Sequence, residues 1–180
     1  MKRFFAIVFF TLLYGSVTLI SQEKELETPI IQVGFDWLME ADQSNIGLHG
    51  ALLFPVAKRV WIGPSVSYYQ YGDLLDVSMS NVGVQTRYVL NDRPRVSPFI
   101  SFVSGLGIPH YGEEVSDEDL DPLSTILLHP AFGLAITTPR NVRIVPSIGY
   151  LNQGLDLSFF DRSTISMNYN RYVLSLSIEF

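Results

Sequence analysis

The feature of this sequence that most constrains its fold is a two-residue alternation of bulky apolar and small side chains along most of the chain. In "IIQVGFDWLME", one face carries Ile31, Val33, Phe35, Trp37 and Met39, and the other carries Gln32, Gly34, Asp36 and Glu40. Successive side chains of a β-strand point to opposite faces, so this period predicts strands. Such segments predict eight strands and no helix, near residues 31–40, 46–54, 60–71, 81–90, 97–111, 123–138, 142–154 and 164–180.

The contents of the two faces distinguish a soluble β-sandwich from a membrane barrel. A sandwich buries its apolar face and exposes a charged one. Here the bulky face carries no Asp, Glu, Lys or Arg from Ile31 to Phe180, and the opposite face is mostly Gly, Ala and Ser. Small side chains suit the crowded interior of a narrow closed barrel. We therefore predict an all-β fold, an eight-stranded antiparallel up-and-down transmembrane β-barrel with its bulky face towards lipid.

The connections between the predicted strands fall into two sets that alternate along the chain. One set is compact and basic, with Lys58, Arg59, Arg93, Arg95 and Arg140. The other set is acidic and contains the longest connection, "GEEVSDEDLDP". Outer-membrane barrels have short periplasmic turns and longer outside loops. This pattern predicts basic periplasmic turns, acidic extracellular loops and two periplasmic termini.

The amino terminus has the layout of a secretory signal peptide. "MKRFFAIVFFTLLYGSVTLIS" joins two basic residues to an apolar run and ends on small or polar residues. We predict a signal peptide over residues 1–21, a short periplasmic segment over 22–29 and the barrel domain over 30–180. The alternative is an uncleaved anchor, although the run from Phe4 to Ile20 is at the short end of the roughly 20 residues that a spanning helix needs.

The composition excludes several classes of protein. The chain has 180 residues, which fit one domain, and no cysteine, which excludes disulfides and thiolate metal sites. Its net charge of −6 argues against nucleic acid as a partner, because nucleic acid selects basic surfaces.

The last strand, "YVLSLSIEF", keeps its alternation to the final residue and has one apolar face, formed by Tyr172, Leu174, Leu176, Ile178 and Phe180. With this strand and the glycine-spaced segments "VSPFISFVSGLGIP" and "VRIVPSIGYLNQ", the chain resembles the small eight-stranded outer-membrane β-barrel proteins of Gram-negative bacteria, often labelled porin-family proteins. The resemblance covers about residues 30–180. It implies an outer-membrane location and an assembly signal, formed by the five apolar residues, that the barrel-assembly machinery reads during insertion.

Two features fit a regular barrel less well. Pro64, Pro130 and Pro146 fall within predicted strands, where each removes a hydrogen-bond donor, so we expect bulges or different strand boundaries there. Asn168 and Asn170 continue the lipid-facing side of the last strand. Either a bulge near Asn170 switches the register or, more simply, the strand has already left the bilayer.

Six charged side chains are predicted to point into the lumen: Asp36, Glu40, Arg87, Arg143, Arg171 and Glu179. We expect Arg171 to lie near the level of Glu40 or Asp36, and Arg87 to reach Asp36. Strand pairing also brings Arg143 to Glu179. These pairs would plug the barrel, since eight strands enclose only enough space for side chains. The alternatives are a narrow ion path and a small hydrophobic-ligand site in the upper lumen, lined by Leu38, Leu53, Leu127 and Leu151.

Catalytic and metal sites are weakly indicated. His49 and His129 are predicted to point inward, and His110 lies near acids at the outer rim. None of the three is followed by a serine two residues later, whereas the lipid A deacylases of the family that the chain resembles have this His-x-Ser pattern. We predict no enzyme activity and no cofactor. Carboxylates attract calcium, so weak candidate ligands are Glu113, Glu114, Asp117, Asp119 and Asp121; a run of like charges is more often a solvated loop.

The sequence therefore predicts a non-enzymatic outer-membrane barrel with a side-chain-plugged lumen, acting as a structural or interaction module through its acidic loops. Expected partners are outer-membrane lipid, the assembly machinery during insertion, and another outer-membrane or extracellular protein. The assignment of faces predicts that Leu176→Arg blocks membrane assembly while Ser175→Ala is nearly silent.

Overall fold

The computed structural model describes residues 28–39, 44–71, 77–91, 95–110, 120–122, 125–140, 142–159 and 164–180, with only the backbone at 120–122, 155–159 and 164–167. The predicted signal peptide lies outside these residues. Eight long strands and one short strand, β6, make up the fold: β1 (Ile30–Met39), β2 (Ser44–Ala57), β3 (Val60–Gln70), β4 (Ser78–Val89), β5 (Val96–His110), β6 (Leu120–Pro122), β7 (Thr125–Thr137), β8 (Arg143–Phe159) and β9 (Thr164–Glu179). The described residues include no helix that could span a membrane.

The eight long strands close into an antiparallel barrel. Each pairs with the next long strand along the chain, and β9 returns to pair with β1, from Gln32↔Glu179 to Met39↔Tyr172. Reciprocal backbone hydrogen bonds between Ile31 and Phe180 extend this closing ladder to the last residue. A closed barrel has no free edge, and the predicted fold class is confirmed.

The two ends of the barrel differ in their connections. The end that carries Ile30 and Phe180, here called the terminal rim, also carries the short β2–β3, β4–β5 and β7–β8 connections. The β2–β3 turn places Arg59 in the left-handed region, at φ 68°. The opposite end, here called the far rim, carries the remaining connections, including the one that contains β6. This alternation of connections agrees with the one predicted from the sequence.

The outer surface of the barrel is a belt of large apolar side chains. Phe35 is 64% exposed, Ile126 64% and Leu176 56%, although each lies within a strand. Wherever the structure describes the strand side chains, none of the exposed ones is Asp, Glu, Lys or Arg. A soluble protein would not leave such a belt in water, because contiguous exposed apolar patches of this extent mark interaction or membrane surfaces. The belt is therefore the lipid-facing surface, as predicted.

The belt ends towards the far rim in aromatic and then polar side chains. Tyr150 and Tyr172 pack edge to face on adjacent strands, with ring centroids 5.5 Å apart. Two positions further towards the far rim, the Asn152 amide donates to Asn170 Oδ1 at 2.6 Å. The β8–β9 register runs unbroken from Arg143↔Glu179 to Ser158↔Thr164. No bulge therefore switches the faces of β9, and the asparagines lie where the strand leaves the apolar belt.

The bulges expected at the three prolines are not found. Pro64 keeps its pair in the β3–β4 ladder, and Pro130 and Pro146 keep theirs with β5 and β9. On the other side of each proline, the ladder lacks pairs and then resumes in the same register. Such a gap occurs in β2–β3 beside Pro64, and in β7–β8 beside both Pro130 and Pro146. The missing N–H of proline accounts for the gaps. The register shift that the structure does show in β2–β3 lies between Pro55 and Ala57.

The lipid-facing position of Leu176 generates the first prediction. Leu176→Arg places a charge on the apolar belt, and we expect a loss of about 2–4 kcal/mol near the midplane together with failure to insert into lipid vesicles. The matched control is Leu176→Ala, which shortens the same side chain without a charge. Folding is followed by the difference in gel mobility between boiled and unboiled samples. Equal insertion of the Arg and Ala variants would contradict the assignment of faces.

Candidate functional site

The lumen contains two apolar layers with a polar layer between them. The layer nearer the far rim, here called the far cluster, consists of Leu38, Tyr69, Tyr71, Val77, Met79, Leu127, Leu151, Tyr169 and Val173. The layer nearer the terminal rim, here called the terminal cluster, consists of Ile30, Ala51, Leu53, Trp61, Val89, Phe99, Ala135 and Val145. The strand residues among them point inward because they occupy positions that alternate with the lipid-facing ones. Tyr71 and Val77 flank β3 and β4 and are joined by a backbone hydrogen bond.

The far cluster is tightly packed. Leu38 and Leu151 are fully buried and Leu127 is 2% exposed. The rings of Tyr71 and Tyr169 lie 4.4 Å apart between centroids. Three of the four leucines considered for a ligand cavity thus pack together in this cluster, whereas Leu53 belongs to the terminal cluster. The four do not line one upper cavity.

A glutamine amide joins the far cluster to the polar layer. Gln153 is fully buried, accepts a hydrogen bond from the Tyr71 hydroxyl at 3.0 Å, and donates to Asn81 at 2.7 Å and Thr125 at 2.9 Å. Gly107 faces this amide so closely that an added Cβ would lie 2.2 Å from Gln153 Nε2. The absence of a side chain at Gly107 therefore makes room for the network.

Asp36 is the centre of the polar layer. Its Oδ2 accepts a hydrogen bond from the Tyr69 hydroxyl at 3.1 Å, and its Oδ1 accepts one from Ser175. His49 Nδ1 lies 2.9 Å from the same Oδ1, an ion-pairing distance without the alignment of a good hydrogen bond. These contacts change the expectation for Ser175→Ala. Because this variant removes a donor from a buried carboxylate, it should cost about 1–3 kcal/mol rather than be nearly silent.

The polar chain continues from His49 towards the terminal rim. His49 Nε2 lies 3.0 Å from Ser177 Oγ, which also accepts a hydrogen bond from the Gln32 amide at 3.0 Å. Gly34, between them, has no room for a side chain, since an added Cβ would lie 2.6 Å from Ser177 Oγ and 2.7 Å from His49 Cε1. Because β1 has a glycine at this position, the His49 imidazole and the Ser177 hydroxyl can approach each other.

Asp36, His49 and Ser177 have the order of acid, base and hydroxyl that serine hydrolases use. The sequence did not reveal this group, because Ser177 is 128 residues from His49 and only barrel closure brings them together. Ser177 is 1% exposed, and the adjoining cavity of ≈ 40 Å³ has room for a few waters. An acyl substrate has no space there. We interpret the group as a structural network.

The ion pair of the lumen joins Arg87 to Glu179. Both side chains are 1% exposed, and Arg87 Nη1 donates to Glu179 Oε1 while Nη2 donates to Gln32 Oε1 at 2.9 Å. The guanidinium also lies over the Phe99 ring, 4.2 Å from its centroid. Gln32 thus contacts both Arg87 and Ser177 and links the ion pair to the Asp36 network.

The structure rearranges the charge pairs expected from the sequence. Arg87 contacts Glu179 rather than Asp36, whose ionic partner is His49. Arg143 is opposite Glu179 in the β8–β9 register, as expected, but the Glu179 carboxylate is bound to Arg87. Arg171 is one position beyond the pair Met39↔Tyr172, and its guanidinium lies 6.0 Å from the Tyr71 ring centroid. Its expected level with Glu40 stays a prediction, because Glu40 lies outside the described residues.

Several candidate residues lie wholly or partly outside the described residues. They are Glu40, Glu113, Glu114, Asp117 and Asp119, and only the backbone is described for Asp121, in β6. Within the described part of the chain, no group of three or more His, Asp or Glu side chains could hold a metal ion. His110 is exposed, with Nε2 2.9 Å from Ser80 Oγ.

The Arg87–Glu179 pair generates a second prediction. Arg87→Gln leaves a buried carboxylate without its cation, and we expect a loss of about 3–5 kcal/mol in the free energy of unfolding. Arg143→Gln, which removes the partner expected from strand register, should cost less than about 1 kcal/mol because Arg143 is only half-buried. Urea unfolding in detergent micelles measures both. A larger loss for Arg143→Gln would mean that Arg143 is the partner of Glu179.

The buried position of Ser177 generates a third prediction. We expect phenylmethylsulfonyl fluoride, which sulfonylates activated serines, to leave the intact mass of the folded protein unchanged. The control is Ser177→Ala under the same conditions. Stoichiometric addition to the natural protein that is lost in Ser177→Ala would show an accessible nucleophile and contradict the structural interpretation.

The sequence matches no protein-family model and no curated protein. The fold does match solved structures. The crystal structure of Neisserial surface protein A (NspA) has 13% sequence identity and a TM-score of 0.66, with 87% of this chain and 98% of that chain covered. The outer membrane protein OprG from Pseudomonas aeruginosa has 9% identity and a TM-score of 0.58, with 84% and 95% covered. By fold, this chain is similar to these small eight-stranded β-barrels, one of which is an outer membrane protein, in agreement with the predicted fold class.

Proposed function

We propose that this protein is a non-enzymatic outer-membrane barrel whose lumen is plugged by its own side chains and whose far rim is a structural or interaction module. The observation that carries the proposal is the presence of two buried apolar clusters, one on each side of the polar layer. An ion would have to pass the terminal cluster, which lines cavities at the terminal rim, and then the far cluster, where Leu38, Tyr71 and Leu151 are fully buried. The interior of an eight-stranded barrel is just wide enough for side chains to fill it.

The polar layer between the clusters supports a plug rather than a path. Asp36 is bound by Tyr69, Ser175 and His49, and Glu179 by Arg87, so the charges are engaged with one another. The cavity beside Asp36 is ≈ 40 Å³, room for roughly three waters at about one probe sphere each. Water confined to such a cavity hydrates the network without connecting the two ends.

The interaction role is supported by the strands at the far rim. β8 has 17 residues and β9 has 16, whereas about 9–11 residues cross a bilayer. Their ladder reaches Ser158↔Thr164, and β6 adds to β8 through Leu120↔Phe159. Three strands thus extend beyond the Asn152–Asn170 pair that marks the end of the apolar belt. A paired extension of this kind can hold the acidic connections in position for a protein partner.

The proposed partners follow from the surfaces of the barrel. Outer-membrane lipid contacts the apolar belt, and the barrel-assembly machinery reads the last strand during insertion. A second outer-membrane or extracellular protein binds at the far rim, which lies outside the cell in this orientation. The terminal rim, with the basic turn residues Lys58, Arg59 and Arg140, faces the periplasm.

A plugged lumen predicts a folded protein that does not conduct. The detergent-folded protein should shift its gel mobility on boiling, and after reconstitution in planar bilayers it should pass no discrete single-channel current. An unrelated large porin in the same bilayers is the positive control, because it reports successful fusion. Reproducible conductance steps from the heat-modifiable species would contradict the plugged lumen and support the alternative, a narrow channel.

A further inference from the structure

The terminal rim contains a pocket that the plug does not use. Its outer chamber has a volume of ≈ 460 Å³ and is lined in part by Trp61, Arg143 and Glu179. An inner chamber of ≈ 60 Å³ reaches Arg87 and Phe99 and shares Ile30, Trp61 and Arg143 with the outer one. The outer chamber alone is within the range of about 300–1,000 Å³ that is typical of small-molecule sites. Residues of the terminal cluster line both chambers, and neither chamber shares a lining residue with the cavity beside Asp36.

Arg143 provides the cationic side of this pocket. It begins β8, lines both chambers and is half-buried. The carboxylate opposite it in register, Glu179, is bound to Arg87. Within the described part of the chain, no ion pair joins Arg143 to an acidic side chain. Its charge is therefore available to an anion that enters from the terminal rim.

Two further donors of the pocket lining lack protein acceptors. Trp61 is 5% exposed and Arg87 is 1% exposed, and neither Trp61 Nε1 nor Arg87 Nε has a hydrogen-bond partner in the described residues. Buried N–H groups are rarely left unpaired in native proteins, so each such group calls for an explanation. Both atoms are shielded from solvent, as is Glu179 Oε2, which also lacks a partner in this part of the chain, so Arg143 is the cation that an anion entering the chambers would meet.

The remaining lining sets the charge and polarity of the ligand. The Glu179 side chain borders the outer chamber, so a ligand with several negative charges would be repelled. Ile30, Val89 and Phe99 line the chambers with apolar surface. A singly charged anion with an apolar body fits both conditions, because its charge can meet Arg143 while its body contacts the indole and aliphatic walls.

We propose that this pocket binds a small organic carboxylate with an apolar body, with Arg143 pairing the carboxylate and Trp61 contributing apolar surface of its indole ring. The site lies at the end of the barrel opposite the far rim, and it adds ligand recognition to the proposed structural or interaction role. It does not imply passage, since neither chamber shares a lining residue with the cavity beside Asp36.

The chain offers an internal reporter for this site. Its two tryptophans are Trp37, on the lipid-facing surface, and Trp61, in the pocket. In Trp37→Phe protein folded in detergent, the tryptophan emission, excited at wavelengths that tyrosine does not absorb, comes from Trp61 alone. We expect phenylacetate to change this emission saturably, and phenylacetamide, its neutral counterpart, to bind at least about ten-fold more weakly because it cannot form the ion pair with Arg143.

A pair of arginine variants completes the test in the Trp37→Phe background. Arg143→Gln should weaken phenylacetate binding at least ten-fold, whereas Arg140→Gln, which removes the same charge from the exposed β7–β8 turn, should leave it unchanged. The mobility shift on boiling verifies that each variant is folded. No saturable response, an equal response to the acid and the amide, or equal weakening by both variants would overturn the proposal. A conductance measurement does not enter this test, so the site and the plug can fail independently.

Discussion

The ladder between β1 and β9 is the interaction on which the rest of this structure depends. It removes the last free edges of the sheet, which would otherwise expose unpaired backbone groups to lipid. Its register also determines which side chains meet in the lumen. With Asp36 opposite Ser175 and Gly34 opposite Ser177, the carboxylate receives the Ser175 hydroxyl and the glycine makes room for the contact between His49 and Ser177. A shift of one residue would turn these polar groups towards lipid.

The barrel must keep charge off its lipid-facing surface, and it must also compensate every charge that it buries in the lumen. An exterior free of charge leaves the interior as the place where the barrel strands can hold their ionisable side chains. There each charge needs compensation, since removing one partner of a buried pair is strongly destabilising. Arg87 meets this need through Glu179, Gln32 and the Phe99 ring, and Asp36 meets it through three neighbours. Each of these two charges is therefore stabilised by several neighbours rather than by any single contact.

The number of strands, the lipid-facing side of each strand and the alternation of the connections between the two rims could be predicted from the sequence. The first two follow from the two-residue period, and the third follows from the order of the strands. Phe35 and Leu176 were assigned to lipid, and both are largely exposed. Pairing inside the lumen was only partly predictable. Register places Arg143 opposite Glu179, but side-chain length and direction across the lumen decide that Arg87 reaches the carboxylate instead. The bulges expected at the prolines are absent for a related reason. A proline lacks a hydrogen-bond donor on one side of its strand and leaves a gap there, and the pairing on the other side preserves the register.

Ser177 illustrates the limit of motif reasoning. A search for a serine close to a histidine in sequence could not find a contact that spans almost the whole barrel domain. The signal that was available is weaker: in "SLSIEF", small hydroxyl residues occupy inward positions of the strand that closes on Gly34 and Asp36. Barrel closure places these residues beside β1. Inward-pointing residues of the first and the last strand can therefore be examined as candidate contacts even when no sequence motif connects them.

The gaps opposite the prolines imply that the barrel's seams are unequal in strength. The seam that joins the two ends of the chain is continuously paired from Gln32 to Met39, whereas the seam between β7 and β8, which are consecutive barrel strands, is interrupted at both Pro130 and Pro146. The seam that closes the barrel is therefore the continuous one of the two, and the interrupted one lies between strands that are neighbours in the chain.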